Sequence, residues 1–139
     1  MVSVVIFAGG VGSRFQSADI PKQFVEVGGK PIIIHTLEKF SKHPFVDKIA
    51  IACLEGWIDV LKQQIEEYSI QKVVSIVKGG KNGYESIHNG LMEIARDFDD
   101  DDIVLICDGV RPMISEQLIT NCINETRKQG TAVPDHQHF

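Results

Sequence analysis

The chain has 139 residues, 43% of them hydrophobic and 24% charged, a balance typical of one globular domain that spans residues 1–139. Its formal net charge of −5 argues against nucleic acid and anionic membrane surfaces, because both would repel an acidic protein. No run approaches the roughly 18 apolar residues of a membrane span. The N-terminal apolar run has no basic region before it, so a signal peptide is not predicted. Cys53, Cys107 and Cys122 lack metal-site spacing and are predicted to be reduced and buried. We therefore expect a cytoplasmic protein.

Apolar runs alternate with segments of helical periodicity along the chain. The runs predict strands at residues 2–7, 49–53, 73–77 and 103–107. The periodic segments predict helices at residues 31–41, 57–68 and 84–96, and a fourth helix that begins after Ser115 and stops near Gly130. This alternation implies a three-layer α/β/α, Rossmann-like fold whose mostly parallel sheet is covered by helices on both faces.

Other polar and aromatic residues favour structural roles. His35 and His43 have no partner at metal-ligand spacing, and Trp57 is predicted to pack between a helix and the sheet. The acidic run at residues 97–102 is predicted to be a solvated loop, because like charges repel and no spacing fixes a metal site.

A glycine-rich loop follows the first predicted strand. Three of its positions are glycine: Gly9, Gly10 and Gly12. Without a Cβ, these residues let a ligand approach the backbone and let N–H groups converge on an anion. Arg14 and Lys22 add two cations, so the combination suits a polyphosphate. The Walker pattern is absent, and the dinucleotide fingerprint would need glycine where Phe15 stands.

Polar segments follow two further strands. The Gly79–Gly80 run leads from the third strand to Ser86 on a helix, and the run from Asp108 to Pro112 leaves the fourth. Ligands of open α/β sheets bind outside the carboxyl ends of the strands. We therefore expect one site formed by the three loops.

These segments resemble, in order and spacing, those of the cytidylyltransferases that make CDP-alditols. That family comprises the 2-C-methyl-D-erythritol 4-phosphate and the ribitol-5-phosphate cytidylyltransferases. The resemblance runs from residue 2 to about residue 131. The matching segments are Ala8–Arg14, Pro21–Phe24, Gly29–Ile32, Gly79–Gly80 with Ser86, and Asp108–Pro112. Phe7 before the glycines and the Cys53–Trp57 run are more similar to the ribitol-5-phosphate branch.

The resemblance implies a nucleotidyltransferase that moves CMP from CTP to an alditol phosphate, with ribitol 5-phosphate favoured, and releases pyrophosphate in cell-wall or isoprenoid biosynthesis. It implies that Arg14 and Lys22 are catalytic and neutralise charge on the α-phosphate and the leaving pyrophosphate. It also implies that Asp108 binds Mg²⁺ or orients its waters, and that Arg111 supports that loop or faces the second substrate. The implied nucleotide-binding residues are Ala8, Gly9, Gly10, Gly12, Gly79, Gly80, Ser86, Asp108 and Arg111.

Members of this family are longer, and the end of this chain, Pro134–Phe139, departs from their pattern. We therefore expect a C-terminally truncated member. In the longer proteins, the resemblance implies, the remaining part holds the alditol phosphate and an arm that forms the homodimer. Three alternatives remain: a fragment that binds CTP–Mg²⁺ without turnover, a methylerythritol-phosphate cytidylyltransferase, and a dehydrogenase-type cofactor domain.

Overall fold

The computed structural model describes residues 1–8, 20–80, 82–96, 99, 102–111 and 113–129. Its strands are β1 (Val2–Ala8), β2 (Glu26–Val27), β3 (Lys30–Pro31), β4 (Lys48–Cys53), β5 (Val73–Lys78) and β6 (Ile103–Asp108). Its α-helices are α1 (Ile32–Lys42), α2 (Ile58–Glu67), α3 (Gly83–Ala95) and α4 (Glu116–Gln129), and short 3-10 turns cover Lys22–Phe24 and Glu55–Trp57. Within the described ranges, no helix is both long and apolar enough to cross a membrane.

The main sheet has the order β5-β4-β1-β6, and every pair of neighbours in it is parallel. The chain steps outward from β1 to β4 and β5, and then returns to the other side of β1 to form β6. The strand order therefore reverses between β1 and β6. Such a reversal opens a crevice at the carboxyl ends of the two strands, where ligands of α/β sheets bind.

Helices cover both faces of this sheet, which confirms the three-layer prediction. On one face, buried side chains of β1, β4 and β6 form a single cluster with α1, α2 and α4, including Leu37, Leu61 and Ile123. On the other face, Val5 and Ala50 pack against Ile94 of α3. A Cβ on Gly90 would lie 2.6 Å from Val5 Cγ1, so the backbone of α3 packs directly on β1.

The main elements lie within about two residues of their predicted bounds, the margin expected for element ends. The predicted cap is also present, since Ser115 Oγ accepts a 3.0 Å hydrogen bond from Leu118 N. The three cysteines are free and buried, as predicted. The predicted helix stop at Gly130 and the start of a strand at residues 131–133 lie outside the described residues.

A two-stranded hairpin of β2 and β3 precedes α1 and was not predicted. Its turn uses Gly28 and Gly29 at φ of +64° and +81°, the left-handed region that glycine adopts without a steric penalty. Pro31, predicted to lie in the first helical turn, instead pairs with Glu26 and stands as the N-cap of α1. The hairpin therefore fixes the direction in which the chain enters α1.

Candidate functional site

The carboxyl ends of β1 and β6 meet at the reversal of strand order. Phe7 stands opposite Asp108 in the register, and Gly109 N donates to the Phe7 carbonyl at 3.0 Å. On the other side of β1, Ala8 stands opposite Cys53, whose carbonyl accepts from Gly79 N at 2.7 Å. The three segments predicted to form the site therefore leave the same edge of the sheet.

The turn that carries Lys22 is bound to the end of β1. Gln23 is 4% exposed, and its side-chain Nε2 donates to the Ala8 carbonyl. Phe24 is also buried and stacks on Trp57, with ring centroids 4.8 Å apart. Lys22 itself is exposed, so the turn presents a cation to solvent beside the candidate crevice.

The Gly79–Gly80 segment folds onto the first turn of α3. Gly80 N donates to Ser86 Oγ at 3.0 Å, and Ser86 is fully buried. Asn82 caps the helix, since its side chain accepts from Glu85 N at 2.9 Å. A Cβ on Gly80 would lie 2.0 Å from Glu85 Cβ, so this close approach requires glycine. The Ser86 hydroxyl thus anchors the loop that the sequence predicted to contact the nucleotide.

Asp108 is the last residue of β6, and its backbone turn is fixed by local contacts. Its Oδ1 accepts from Val110 N at 3.0 Å. Thr36 of α1 donates through Oγ1 to the Gly109 carbonyl at 3.0 Å in a buried contact. A Cβ on Gly109 would lie 3.0 Å from Ala8 Cβ, so the two loop bases are closely packed. Asp108 and Arg111 are both half-buried at this edge.

The donor set at this edge fits a cation that is shared with a phosphate ligand. No cluster of three or more His, Cys, Asp or Glu side chains suited to a metal occurs among the residues that the structure describes. Mg²⁺ commonly binds one or two carboxylates and completes its shell with phosphate oxygens and waters. Asp108 can supply one such carboxylate, whereas a metal cage made of protein groups alone would need more ligands.

The thiol of Cys53, at the end of β4, is not suited to nucleophilic chemistry. Cys53 ends β4 and is fully buried. Burial raises the pKa of the Cys53 thiol to about 12, so the thiol stays protonated near neutral pH and is not activated as a nucleophile. The edge therefore offers backbone amides, a carboxylate and cations, a set that binds and polarises phosphates.

Four predicted site residues lie outside the described residues, namely Gly9, Gly10, Gly12 and Arg14, as does Pro112 of the matching segment after β6. The described members are spread across the strand ends from β5 to β6. With neighbouring strands about 4.8 Å apart, these four strand ends span about 14 Å. An extended ligand lying along the edge can reach both Gly80 near β5 and Asp108 at β6.

Sequence reasoning assigned no role to Gln23 or to Thr36. Each donates to a carbonyl at the base of a predicted site loop, Gln23 to Ala8 and Thr36 to Gly109. The available signal was that each polar residue adjoins a large apolar one, Gln23 before Phe24 and Thr36 before Leu37. A buried polar side chain needs a hydrogen-bond partner, so burial of either side chain would have predicted such a bond.

Comparisons with known proteins identify relatives of this chain. The profile of the IspD family, described as 2-C-methyl-D-erythritol 4-phosphate cytidylyltransferase, matches residues 2–135. The chain is 46% identical over 129 residues to a ribitol-5-phosphate cytidylyltransferase of Vibrio parahaemolyticus, covering 93% of this chain and 54% of that protein. It is 42% identical over 130 residues to a 2-C-methyl-D-erythritol 4-phosphate cytidylyltransferase of Clostridium botulinum, covering 94% and 55%.

A solved structure of a related protein has the same fold. The crystal structure of 4-diphosphocytidyl-2C-methyl-D-erythritol synthase from Anaerococcus prevotii superposes with a TM-score of 0.69 at 29% identity. The match covers 91% of this chain and 51% of that one. The chain thus spans about half the length of the relatives it matches.

Proposed function

The chain belongs to the IspD family of cytidylyltransferases, and on this premise we propose that it contributes to CMP transfer from CTP to an alditol phosphate, with ribitol 5-phosphate favoured. The observation that carries the proposal is the meeting of β1 and β6, where Asp108 ends one strand and Gln23 ties the Lys22 turn to the other. A carboxylate and a cation at one crevice suit a metal-bound triphosphate. The similarity to the Vibrio parahaemolyticus protein supports ribitol 5-phosphate.

The proposed reaction is an in-line displacement at the α-phosphorus of CTP. An oxygen of the alditol phosphate forms a bond to that phosphorus, the bond to the β-phosphate oxygen breaks, and pyrophosphate leaves with its electron pair. Lys22 compensates negative charge on the α-phosphate and the leaving group. A phosphate monoester is already a nucleophile, so catalysis consists mainly of positioning and electrostatic stabilisation.

The remaining predicted residues hold the nucleotide in this proposal. Arg14 and the glycines of the first loop surround the triphosphate, and the Gly79–Gly80 segment anchored by Ser86 contacts the cytidine. Asp108 binds Mg²⁺, which supplies charge neutralisation on the phosphate oxygens. Arg111 supports the β6 loop or faces the alditol phosphate. A cytoplasmic location and a homodimer of the longer relatives stay predictions.

The test is pyrophosphate release from CTP and Mg²⁺ by the 139-residue chain, with ribitol 5-phosphate and with 2-C-methyl-D-erythritol 4-phosphate as acceptors. We expect release with at least one acceptor, faster with ribitol 5-phosphate, and a CDP-alditol as the second product. Faster turnover with methylerythritol phosphate would reverse the acceptor preference. If CTP does not bind at all, the nucleotidyltransferase proposal is rejected.

A second candidate, CTP–Mg²⁺ binding without turnover, follows from the length of the match. The chain spans 54% of the Vibrio parahaemolyticus relative. It nevertheless contains the loops after β5 and β6 that are proposed to bind the nucleotide, and both are held by hydrogen bonds. Calorimetry and the product assay together separate the two candidates, because this second one expects CTP binding with no product from either acceptor. Formation of a CDP-alditol by the chain would exclude it.

A further inference from the structure

We propose that Gln23 is a positioning residue that acts through Lys22: its side-chain amide ties the Lys22 turn to the last carbonyl of β1 and so fixes the cation at the phosphate site. The inference rests on the proposed function for the identity of the ligand. It rests on the structure for the tether, since Gln23 Nε2 donates to the Ala8 carbonyl and both residues are buried.

The bond has the properties of a structural tether. Gln23 is 4% exposed and Ala8 is 5% exposed, so bulk water has little access to the bond. An amide buried without a partner costs free energy, whereas a satisfied one restricts the chain to the conformation that satisfies it. The contact joins residues 15 positions apart, across the loop that the sequence assigns to the triphosphate.

Backbone hydrogen bonds and an aromatic stack hold the turn on both sides of Lys22. Phe24 N donates to the Pro21 carbonyl at 2.9 Å and Val25 N to the Lys22 carbonyl at 3.1 Å, which closes the turn around Lys22. Pro21 enters with its φ restricted to −60°. On the far side, Phe24 stacks on Trp57. Lys22 is thus the exposed member of a turn whose adjacent residues are buried.

Loss of the Gln23 amide donor should therefore weaken ligand binding by leaving the Lys22 ammonium unpositioned. Without the tether, the Phe24–Trp57 stack still attaches the turn to the 3-10 turn after β4, but the hydrogen bond to β1 is gone. The Lys22 ammonium then has to be ordered when the ligand binds, and this ordering lowers affinity. A residue that acts only through Lys22 has no effect once Lys22 is removed.

A double-mutant cycle on CTP–Mg²⁺ affinity, measured by titration calorimetry, tests this dependence. Gln23→Met keeps the length of the side chain and lacks the donor, and Lys22→Ala removes the cation. We expect Gln23→Met to weaken binding about tenfold, the upper scale of one neutral hydrogen bond, and to have no further effect in the Lys22→Ala protein. A tenfold loss that persists without Lys22 would overturn the inference, as would unchanged affinity in Gln23→Met.

Two control variants each lose a different side-chain hydrogen bond, both from α1. Thr36→Val removes the donor to the Gly109 carbonyl at the β6 loop, and its effect on affinity is expected to persist in the Lys22→Ala background. Ser41→Ala removes an acceptor of Gln71 N, 2.9 Å away, near the start of β5, and is expected to lower stability without changing affinity. If Gln23→Met behaves like Ser41→Ala, its role is structural only.

Hydrogen exchange without nucleotide tests the tether independently of function. Gln23→Met is expected to speed exchange of the Phe24 and Val25 amides about tenfold, for the loss of one hydrogen bond, while Ser41→Ala leaves them unchanged. If exchange responds but the wild-type chain binds no CTP, the proposed function fails and the tether stands. If exchange does not respond, the tether is rejected whatever the chain binds. Gln23→Asn, which keeps the amide but falls one methylene short, replaces Gln23→Met if the latter does not fold.

Discussion

Lys22 combines an exposed side chain with a backbone held by buried neighbours. Pro21 and Gln23 on either side are buried, and the Lys22 carbonyl accepts from Val25 N at 3.1 Å. The cost of ordering the backbone at this position is therefore met during folding, before any ligand arrives. Such preorganisation is what makes a charge effective in catalysis.

Lys22→Ala is expected to remove about 2–4 kcal/mol of transition-state stabilisation, the scale of one preorganised electrostatic group. The measurement is kcat/KM for pyrophosphate release, with CTP affinity as the second readout. Unfolding free energy should change by less than about 0.5 kcal/mol, because the side chain is exposed. Lys62→Ala, an exposed lysine of α2, is the control for net charge. A rate for Lys22→Ala equal to that of Lys62→Ala would contradict the charge role.

Asp108→Asn tests the proposed link between this residue and the metal. Asparagine keeps an Oδ1 acceptor for Val110 N, so the turn after β6 should persist. The carboxylate charge that Mg²⁺ prefers is lost. We expect CTP affinity to fall about tenfold or more with Mg²⁺, a loss typical of a charged contact, and much less with EDTA. Equal losses in the two titrations would show that Asp108 contacts the nucleotide or serves only the fold.

At the scale of elements, the joint between β5 and α3 depends on close packing at Gly80. The nearest atoms to a Cβ placed there belong to Glu85, including its Cβ at 2.0 Å and its backbone carbon at 3.0 Å. These atoms are fixed by the first turn of α3, so a larger residue displaces the helix start or the loop. The Gly80 N to Ser86 Oγ bond would change with it.

Gly80→Ala is therefore expected to destabilise the chain by about 1–3 kcal/mol, the usual cost of overpacking, and to weaken CTP binding. Gly56→Ala is the matched control, since a Cβ there meets nothing within 4 Å and its φ is not positive. That change should be neutral or stabilising by up to about 1 kcal/mol through the unfolded state. Urea unfolding measures both, and similar free energies for the two variants would refute the packing argument.

Most elements were predictable because their hydrophobic patterns are strong. Apolar runs correspond to β1, β4, β5 and β6, and helical spacing corresponds to the four helices. The β2–β3 hairpin was missed because each of its strands has only two residues, too few for a periodic pattern. Its signal was the Gly28–Gly29 pair, which suits a tight hairpin turn but also suits an ordinary loop.

The site was predictable only in its loops. Glycines and charged residues after apolar strands indicate where a ligand binds, whereas contacts such as Gln23 to Ala8 and Thr36 to Gly109 depend on tertiary packing. Thr36 and Gly109 are 73 positions apart, so no local pattern relates them. The burial of Ser86 and its bond to Gly80 N likewise follow from how α3 lies on the sheet.

At the scale of the whole molecule, His43 joins the end of α1 to α4. The residue is 1% exposed, Nε2 lies 2.8 Å from Thr120 Oγ1, and Nδ1 accepts from Phe45 N at 3.1 Å. The backbone donation to Nδ1 places the ring proton on Nε2, so the neutral form satisfies both nitrogens. Of the two roles expected for a histidine at this position, structural or surface, the buried structural one is present.

Stability is expected to fall on acidification through His43. Burial, the largest cause, lowers the pKa of His43 below its ordinary value, while Glu116 raises it and Lys72 lowers it further. The unfolded chain therefore takes up the proton more readily, at a pKa of about 6.5. The contribution is complete above that pH and is lost as pH falls towards and through the folded-state pKa. Urea unfolding between pH 8 and 5 should show a weaker pH dependence in His43→Gln than in the wild type, and equal slopes would refute the assignment.

The pairing of β1 with β6 brings together residues separated by about a hundred positions of sequence, as Phe7 and Asp108 show. Contacts of such separation form slowly, because a long loop must close before they are gained. A nascent chain on the ribosome therefore cannot complete the crevice until β6 has emerged. We expect that CTP–Mg²⁺ is bound by the finished fold and not by earlier species, so the ligand stabilises the native state by mass action and reports when folding is complete.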